Sequence, residues 1–159
     1  MEFFDVPDTH HPAHSPSTRS RGIGRLIVAV YGIFALSATA RAGYQIATKF
    51  SEAPLAYVLS AVAAVVYIVA TVAMAKKGVT SWFVTCAAVL VELVGVLAVG
   101  TLSIVAPQDF AHDTVWSVYG RGYGFIPLVL PLVGLAWLYT NRPRQPRTAQ
   151  PSDRPAGRP

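Results

Sequence analysis

The run from Trp82 to Ala106, WFVTCAAVLVELVGVLAVGTLSIVA, constrains the fold more than any other part of the chain: it is twenty-five residues long with one charge, Glu92, near its middle. At about 1.5 Å of rise per residue it exceeds the roughly 20 residues that cross a bilayer's hydrocarbon core. A buried helix of a soluble domain is seldom so long and so apolar on every side. The run predicts a transmembrane helix with an acid close to the midplane.

Three more apolar segments flank it, about 24–49, 55–75 and 116–140. The expected fold is therefore all-α, a four-transmembrane-helix bundle over 24–140 with spans at about 24–49, 55–75, 82–106 and 116–140. The Pro-, Ser- and His-rich residues 1–23 and the Pro- and Arg-rich residues 141–159 read as disordered tails. Only 13% of the residues are charged and 53% are hydrophobic, against about 25% charged in an ordinary soluble domain. The basic excess sits largely in the C-terminal tail, where Arg142, Arg144, Arg147, Arg154 and Arg158 face Asp153. A basic tail on an apolar body reads as a membrane protein whose partner is the lipid bilayer, with no nucleic-acid partner. Cys86, the single cysteine, excludes an intrachain disulfide and a cysteine-based metal site.

In chain order, His10, His11 and His14, with Asp5 or Asp8, invite a metal reading. Spaced among prolines, they lack the rigid geometry and supporting shell that a metal site needs, so no metal is expected. Arg19, Arg21 and Arg25 precede the first apolar run, and Ala38-Thr39-Ala40 resembles a signal-peptidase site. The apolar pattern continues past it, which favours an uncleaved first span. Lys76, Lys77 and Gly78 leave so short a link that the second and third spans must form a tight antiparallel hairpin. The basic residues lie before the first span, between the second and third, and after the fourth. The other two loops hold Lys49 and Glu52, then Asp109, His112 and Asp113. By the positive-inside rule both termini are cytoplasmic, with the plasma membrane the expected location. Trp82, Trp116, Trp137 and Tyr139 are expected as an interfacial aromatic belt.

At 100° per residue, Thr85, Ala88, Gly95 and Ser103 share the side of Glu92, and Phe83, Leu90, Val94 and Leu97 lie opposite. Such a small, polar stripe is the face a membrane helix turns toward its neighbours. Matching stripes are Ser37, Arg41, Gln45 and Thr48 in the first span, Ser60, Ala64, Tyr67 and Thr71 in the second, and Ser117, Arg121 and Gly124 in the fourth. The resulting intramembrane polar cluster is Arg41, Gln45, Glu92 and Arg121. A lone charge at the bilayer centre costs about 2.5–3.5 kcal/mol on insertion scales, so Glu92 is expected to pair with Arg41, Arg121 or both. Two readings stay open: the cluster specifies how the helices pack, or it handles a proton, ion or substrate. The arginines can also snorkel to the interface, with Glu92 protonated and bonded to Tyr67 or Thr85.

The run Tyr119-Gly120-Arg121-Gly122-Tyr123-Gly124-Phe125 places three glycines at alternate positions, which weakens helix and predicts a broken segment at the outer face. Pro127 and Pro131 then predict a kink. A broken helix beside an arginine makes Gly120, Arg121, Gly122, Tyr123 and Gly124 a candidate anion-contact loop, with a glycine-lined helix contact as the alternative. Asp109, His112 and Asp113 read as solvated or helix-capping groups. The chain has no nucleophile–base pair, zinc signature or phosphate loop, so no enzyme activity and no cofactor are expected.

The segments ARAGYQIATKF, LVELVGVL and YGRGYGF resemble a family of small four-span integral membrane proteins of actinobacteria, over about residues 24–140. The four-span plan is also similar to the DoxX-like proteins. The resemblance implies the four-helix fold and a cell-envelope setting, and no activity. The leading functional expectation is a non-enzymatic accessory or structural subunit of an envelope membrane complex, working through a membrane-protein partner or as a homo-oligomer. The alternative is a small proton-linked carrier of an anionic or lipid-like substrate using Glu92 with Arg41 and Arg121.

Overall fold

A computed structural model describes residues 18–110 and 112–143. Among them every regular element is helical: α1 Thr18–Lys49, α2 Pro54–Ala75, α3 Val79–Val105 and α4 Ile126–Thr140, with short 3₁₀ turns between. The first helix starts at Thr18, upstream of the expected Gly24. Asp5, Asp8 and the histidines His10, His11 and His14 lie outside the described residues, as does the chain from 144 on. Three helices are long and apolar enough to cross a membrane, or four if Ser117–Tyr123 and α4 together make one span.

The connections dictate the packing order. Pro54 opens α2 with its ring at a position whose amide has no intrahelical partner. Gly78, at φ +128°, makes the tight turn between α2 and α3 in a conformation that a side chain resists. Short links make sequence neighbours into spatial neighbours. Accordingly α1 packs chiefly on α2, α2 also on α3, and α3 on α4 and the segment before it. Small residues line much of the inward faces, and aliphatic ones much of the outward faces. Ala35, Ala38, Ala63, Ala64, Ala70 and Ala88 point inward, and Leu26, Leu36, Val65, Val94 and Val105 point out. Small residues let helices approach closely, and large apolar ones suit a lipid surround. On α3 the expected wheel is found, with Phe83, Leu90, Val94 and Leu97 outside and Thr85, Ala88 and Glu92 inside.

Charge sorts along the bundle axis. Arg25 of α1, Lys77 of the α2–α3 turn and Asn141 after α4 border one groove, so these three parts meet at a basic end. At the opposite end the His112 imidazole Nε2 lies 3.4 Å from Glu52, whose carboxylate is also 3.8 Å from Lys49 Nζ.

The stretch from Ser117 to Thr140 departs furthest from a simple helix. Ser117–Tyr123 and α4 meet at 99°. Inside that segment Val118, Tyr119 and Gly120 have φ of 48°, 58° and 80°, one turn of left-handed backbone that costs a non-glycine residue about 1–2 kcal/mol. Its neighbours impose it. The Val118 amide donates to Ser103 Oγ of α3 at 2.8 Å, and the Phe125 amide donates to the Gly120 carbonyl at 3.1 Å. Tyr119 occupies the space that Gly100 leaves empty: a Cβ there would come within 2.8 Å of the Tyr119 amide nitrogen. Irregular backbone of this kind is tolerated at membrane depth where protein surrounds it.

Candidate functional site, a polar cluster at the centre of the bundle

Glu92 stands near the middle of α3 on its inward face and is 0% exposed. Its partner comes from α1: the Tyr31 hydroxyl donates to Glu92 Oε2 at 2.6 Å. Tyr67 of α2 lies near the same carboxyl, yet Glu92 Oε1 remains buried without a hydrogen-bond partner. The Tyr67 hydroxyl accepts from the Trp116 indole Nε1 at 3.2 Å, which leaves its own hydrogen free to serve the nearby carboxyl. Each of the first three helices, and Trp116 just before the broken segment, thus contributes one polar aromatic or acidic group to a single enclosed cluster. The Tyr31 and Tyr67 rings lie 6.2 Å apart by centroid, and Phe34 stands 5.6 Å from Tyr67 and 6.0 Å from Tyr123. These spacings are in the range where aromatic pairs add attraction beyond their area.

The pairing of Glu92 with Arg41 or Arg121 is not formed. Arg41 lies ten residues beyond Tyr31 along α1, about 15 Å further along the axis at ~1.5 Å per residue. Arg41 reaches sideways instead: its guanidinium donates to the Tyr123 hydroxyl at 2.6 Å and to the Asp113 carbonyl at 3.0 Å. Arg121 is exposed at the apex of the broken segment. Gln45 is half-buried, and its Oε1 has no partner among the described residues. In the glycine-rich run, Gly120 is buried and packs against Pro127, whereas Gly122 and Gly124 are exposed. The amides of Gly124 and Phe125 donate to the Arg121 and Gly120 carbonyls, so two of the loop's donors are spent internally.

The hydroxyl stripes also resolve differently from a shared interhelical network. Ser60, Thr71 and Thr85 each donate to the carbonyl four residues back in their own helix, a local satisfaction open to Ser and Thr in helices. In α1 the stripe Ser37, Arg41, Gln45 and Thr48 is not the buried one. Ile27, Tyr31, Phe34, Ala38 and Ala42 are buried there, while Ser37 and Thr48 are exposed. Trp116 is no belt residue, being 2% exposed with its ring against Gly95. Trp82 and Trp137 are half-buried, and Tyr139 is exposed. His112 stacks on Tyr57, ring centroids 5.9 Å apart, closing the loop before the broken segment onto α2.

Tyr31 and Trp116 are the members that sequence reasoning passed over. Tyr31 lies off the polar stripe of its own span, and its signal is depth: six residues beyond Arg25, it stands about 9 Å above the basic end. Glu92, ten residues beyond Trp82, stands about 15 Å above that end, a difference that two long side chains close. Compared with known protein families, with curated proteins and with solved structures, the chain matches none.

Proposed function

We propose that the chain is a multi-pass plasma-membrane protein of four spans, the fourth broken, with both termini cytoplasmic. In this reading it works as a non-enzymatic accessory or structural subunit of a cell-envelope membrane complex. The observation that supports it best is the enclosure of Glu92, the only acid within α1–α4. Held by Tyr31 and screened by Tyr67 and Trp116, it fastens helices together, and what the molecule offers to the outside is helix faces. Gathering Arg25, Lys76 and Lys77 at one end, against Lys49 and Arg121 toward the other, supports the orientation.

A second reading has its own observation. Glu92 Oε1 is buried and unpaired, which leaves an acceptor for a transferred proton. In that reading the chain is a small proton-linked carrier, oligomeric because four spans are few, with Arg41 and Arg121 meeting an anionic or lipid-like substrate. The deciding experiment is purification of the tagged protein from native membranes in mild detergent, followed by mass spectrometry of what accompanies it. A reproducible stoichiometric partner supports the subunit. A clean homo-oligomer, with proton-coupled flux in liposomes that Glu92→Gln abolishes, supports the carrier and overturns the subunit.

A further inference from the structure

We infer that the basic end of the α2–α3 hairpin is a binding site for an anionic glycerophospholipid, its phosphate at Lys76 and Lys77 and one acyl chain along the groove between the two helices. Three independent observations converge there.

The first is shape. A groove of about 500 Å³ runs up the hairpin between α2 and α3, floored and walled by Ile68, Val69, Val72 and Val84, and its mouth is Lys76, Lys77 and Thr80. An apolar channel with a cationic mouth has the polarity of a phospholipid, chain inward and phosphate at the rim. Lys77 also borders a second groove of about 560 Å³ that reaches Arg25 on α1 and Trp137 on α4. The headgroup therefore has space on both sides of the turn.

The second is charge. Arg25, Lys76 and Lys77 are exposed. Among the described residues the ion pairs are those of Glu52 with Lys49 and His112, at the opposite end. The three cations of the basic end have no acid beside them, and no acid lines either groove. Basic pockets between helices on the cytoplasmic side are suited to anionic headgroups.

The third is the backbone. The mouth coincides with the first turn of α3, whose N-cap residue is Gly78 and so supplies no side-chain cap. The amides of a helix's first turn have no intrahelical acceptor and carry the positive end of its dipole, which favours a phosphate oxygen. The turn is also held in place. The Ser81 hydroxyl donates to the Ala73 carbonyl and, at 3.2 Å, to that of Lys76. The Trp82 indole donates to the Leu138 carbonyl of α4 at 3.2 Å. The lysines are presented by a fixed turn rather than by a loose loop.

The inference rests on the reading that this end lies at the cytoplasmic surface of a membrane, and the experiment separates the two. Alkaline carbonate washing of membranes comes first: release of the protein without detergent overturns the membrane reading itself. The retained full-length protein is then purified, delipidated in a nonionic detergent, and titrated by native mass spectrometry and thermal melting. The probes are phosphatidylglycerol, phosphatidylcholine, inorganic phosphate and glycerol phosphate. The expected result is saturable binding and stabilisation by phosphatidylglycerol alone. Lys76→Gln with Lys77→Gln weakens it about 30-fold, at roughly 1 kcal/mol per cation, while Lys49→Gln at the other end leaves it unchanged. Both altered positions are exposed and unpaired, so the fold survives their loss, and a melting curve without lipid verifies it. Equal stabilisation by inorganic phosphate or glycerol phosphate overturns the lipid in favour of a free-phosphate site. Equal response to phosphatidylcholine, or to the doubly substituted protein, overturns the site.

Discussion

The Tyr31 hydroxyl of α1 donates to Glu92 Oε2 of α3 at 2.6 Å, between two side chains that are both 0% exposed. The bond joins two helices whose principal packing partner in common is α2. It therefore fixes the rotation of α1 about its axis in a way that packing on α2 alone does not.

The first prediction follows from that bond. Tyr31→Phe removes the donor that Glu92 Oε2 accepts from, and Glu92→Leu leaves a buried hydroxyl unpaired. Each is expected to destabilise the protein by about 1–3 kcal/mol. The double substitution is expected to cost less than the sum, because neither partner is then orphaned. Glu92→Gln keeps an acceptor for Tyr31 and should melt close to the unaltered protein. Thermal unfolding of all four variants in one detergent reads the coupling, and strict additivity would show that the bond does not form.

A second prediction concerns the seats of the broken segment. An added methyl at Gly100 would meet Tyr119 at 2.5 Å, and one at Gly95 would meet the Trp116 ring at 2.6 Å. Both neighbours are packed and have little freedom to retreat, so Gly100→Ala and Gly95→Ala should each cost about 1–3 kcal/mol. Gly43→Ala, where nothing lies within 4 Å, should be neutral. Loss of melting temperature in the first two and not the third is the expected pattern. An altered Trp fluorescence spectrum in Gly95→Ala would report the displaced indole.

A third prediction tests the tether from α1. Arg41 holds the Tyr123 hydroxyl and the Asp113 carbonyl with two nitrogens of one guanidinium. Lysine keeps the charge but not the planar fork, so Arg41→Lys should release one of the two contacts. Hydrogen exchange over residues 112–125 is expected to quicken in Arg41→Lys, more in Arg41→Ala, and least in Tyr123→Phe. Unchanged exchange in all three would mean that the segment is held by α3 alone.

The fourth prediction is topological. With Cys86 replaced by Ala, single cysteines at Lys77 and at Asp109 should label from opposite sides of the membrane. Lys77→Cys is expected to react only after inverted vesicles or permeabilised cells admit a membrane-impermeant maleimide. Labelling of both from the same side would contradict the orientation proposed.

The all-helical character, three long apolar helices, hairpin connectivity and the inward face of α3 were legible because each rests on hydrophobic length or periodicity, which lie in the sequence itself. The rotation of α1 was not. Its stripe Ser37–Arg41–Gln45–Thr48 is the more polar side, yet Tyr31, Phe34, Ala35, Ala38 and Ala42 are the side that is buried. Packing therefore outweighed polarity. The partner of Glu92 was missed for a related reason: a search for opposite charge finds arginines, whereas the bundle satisfied the acid with a tyrosine at the matching depth. The glycines and prolines of 119–131 announced a break. The sharp 99° turn and the seat at Gly100 depend on where α3 stands, which no local pattern encodes.

The shortness of α4 bears on how the protein is made. Its 15 residues rise only about 22 Å, against roughly 30 Å of hydrocarbon. The backbone before it finds partners such as Ser103 Oγ on α3. Released alone into lipid from the translocon, this stretch would carry unpaired amides and a left-handed turn that nothing holds. In a membrane, its insertion would depend on α3 being already seated: the stretch would dock as a guest onto an existing hairpin rather than partition as one more hydrophobic rod.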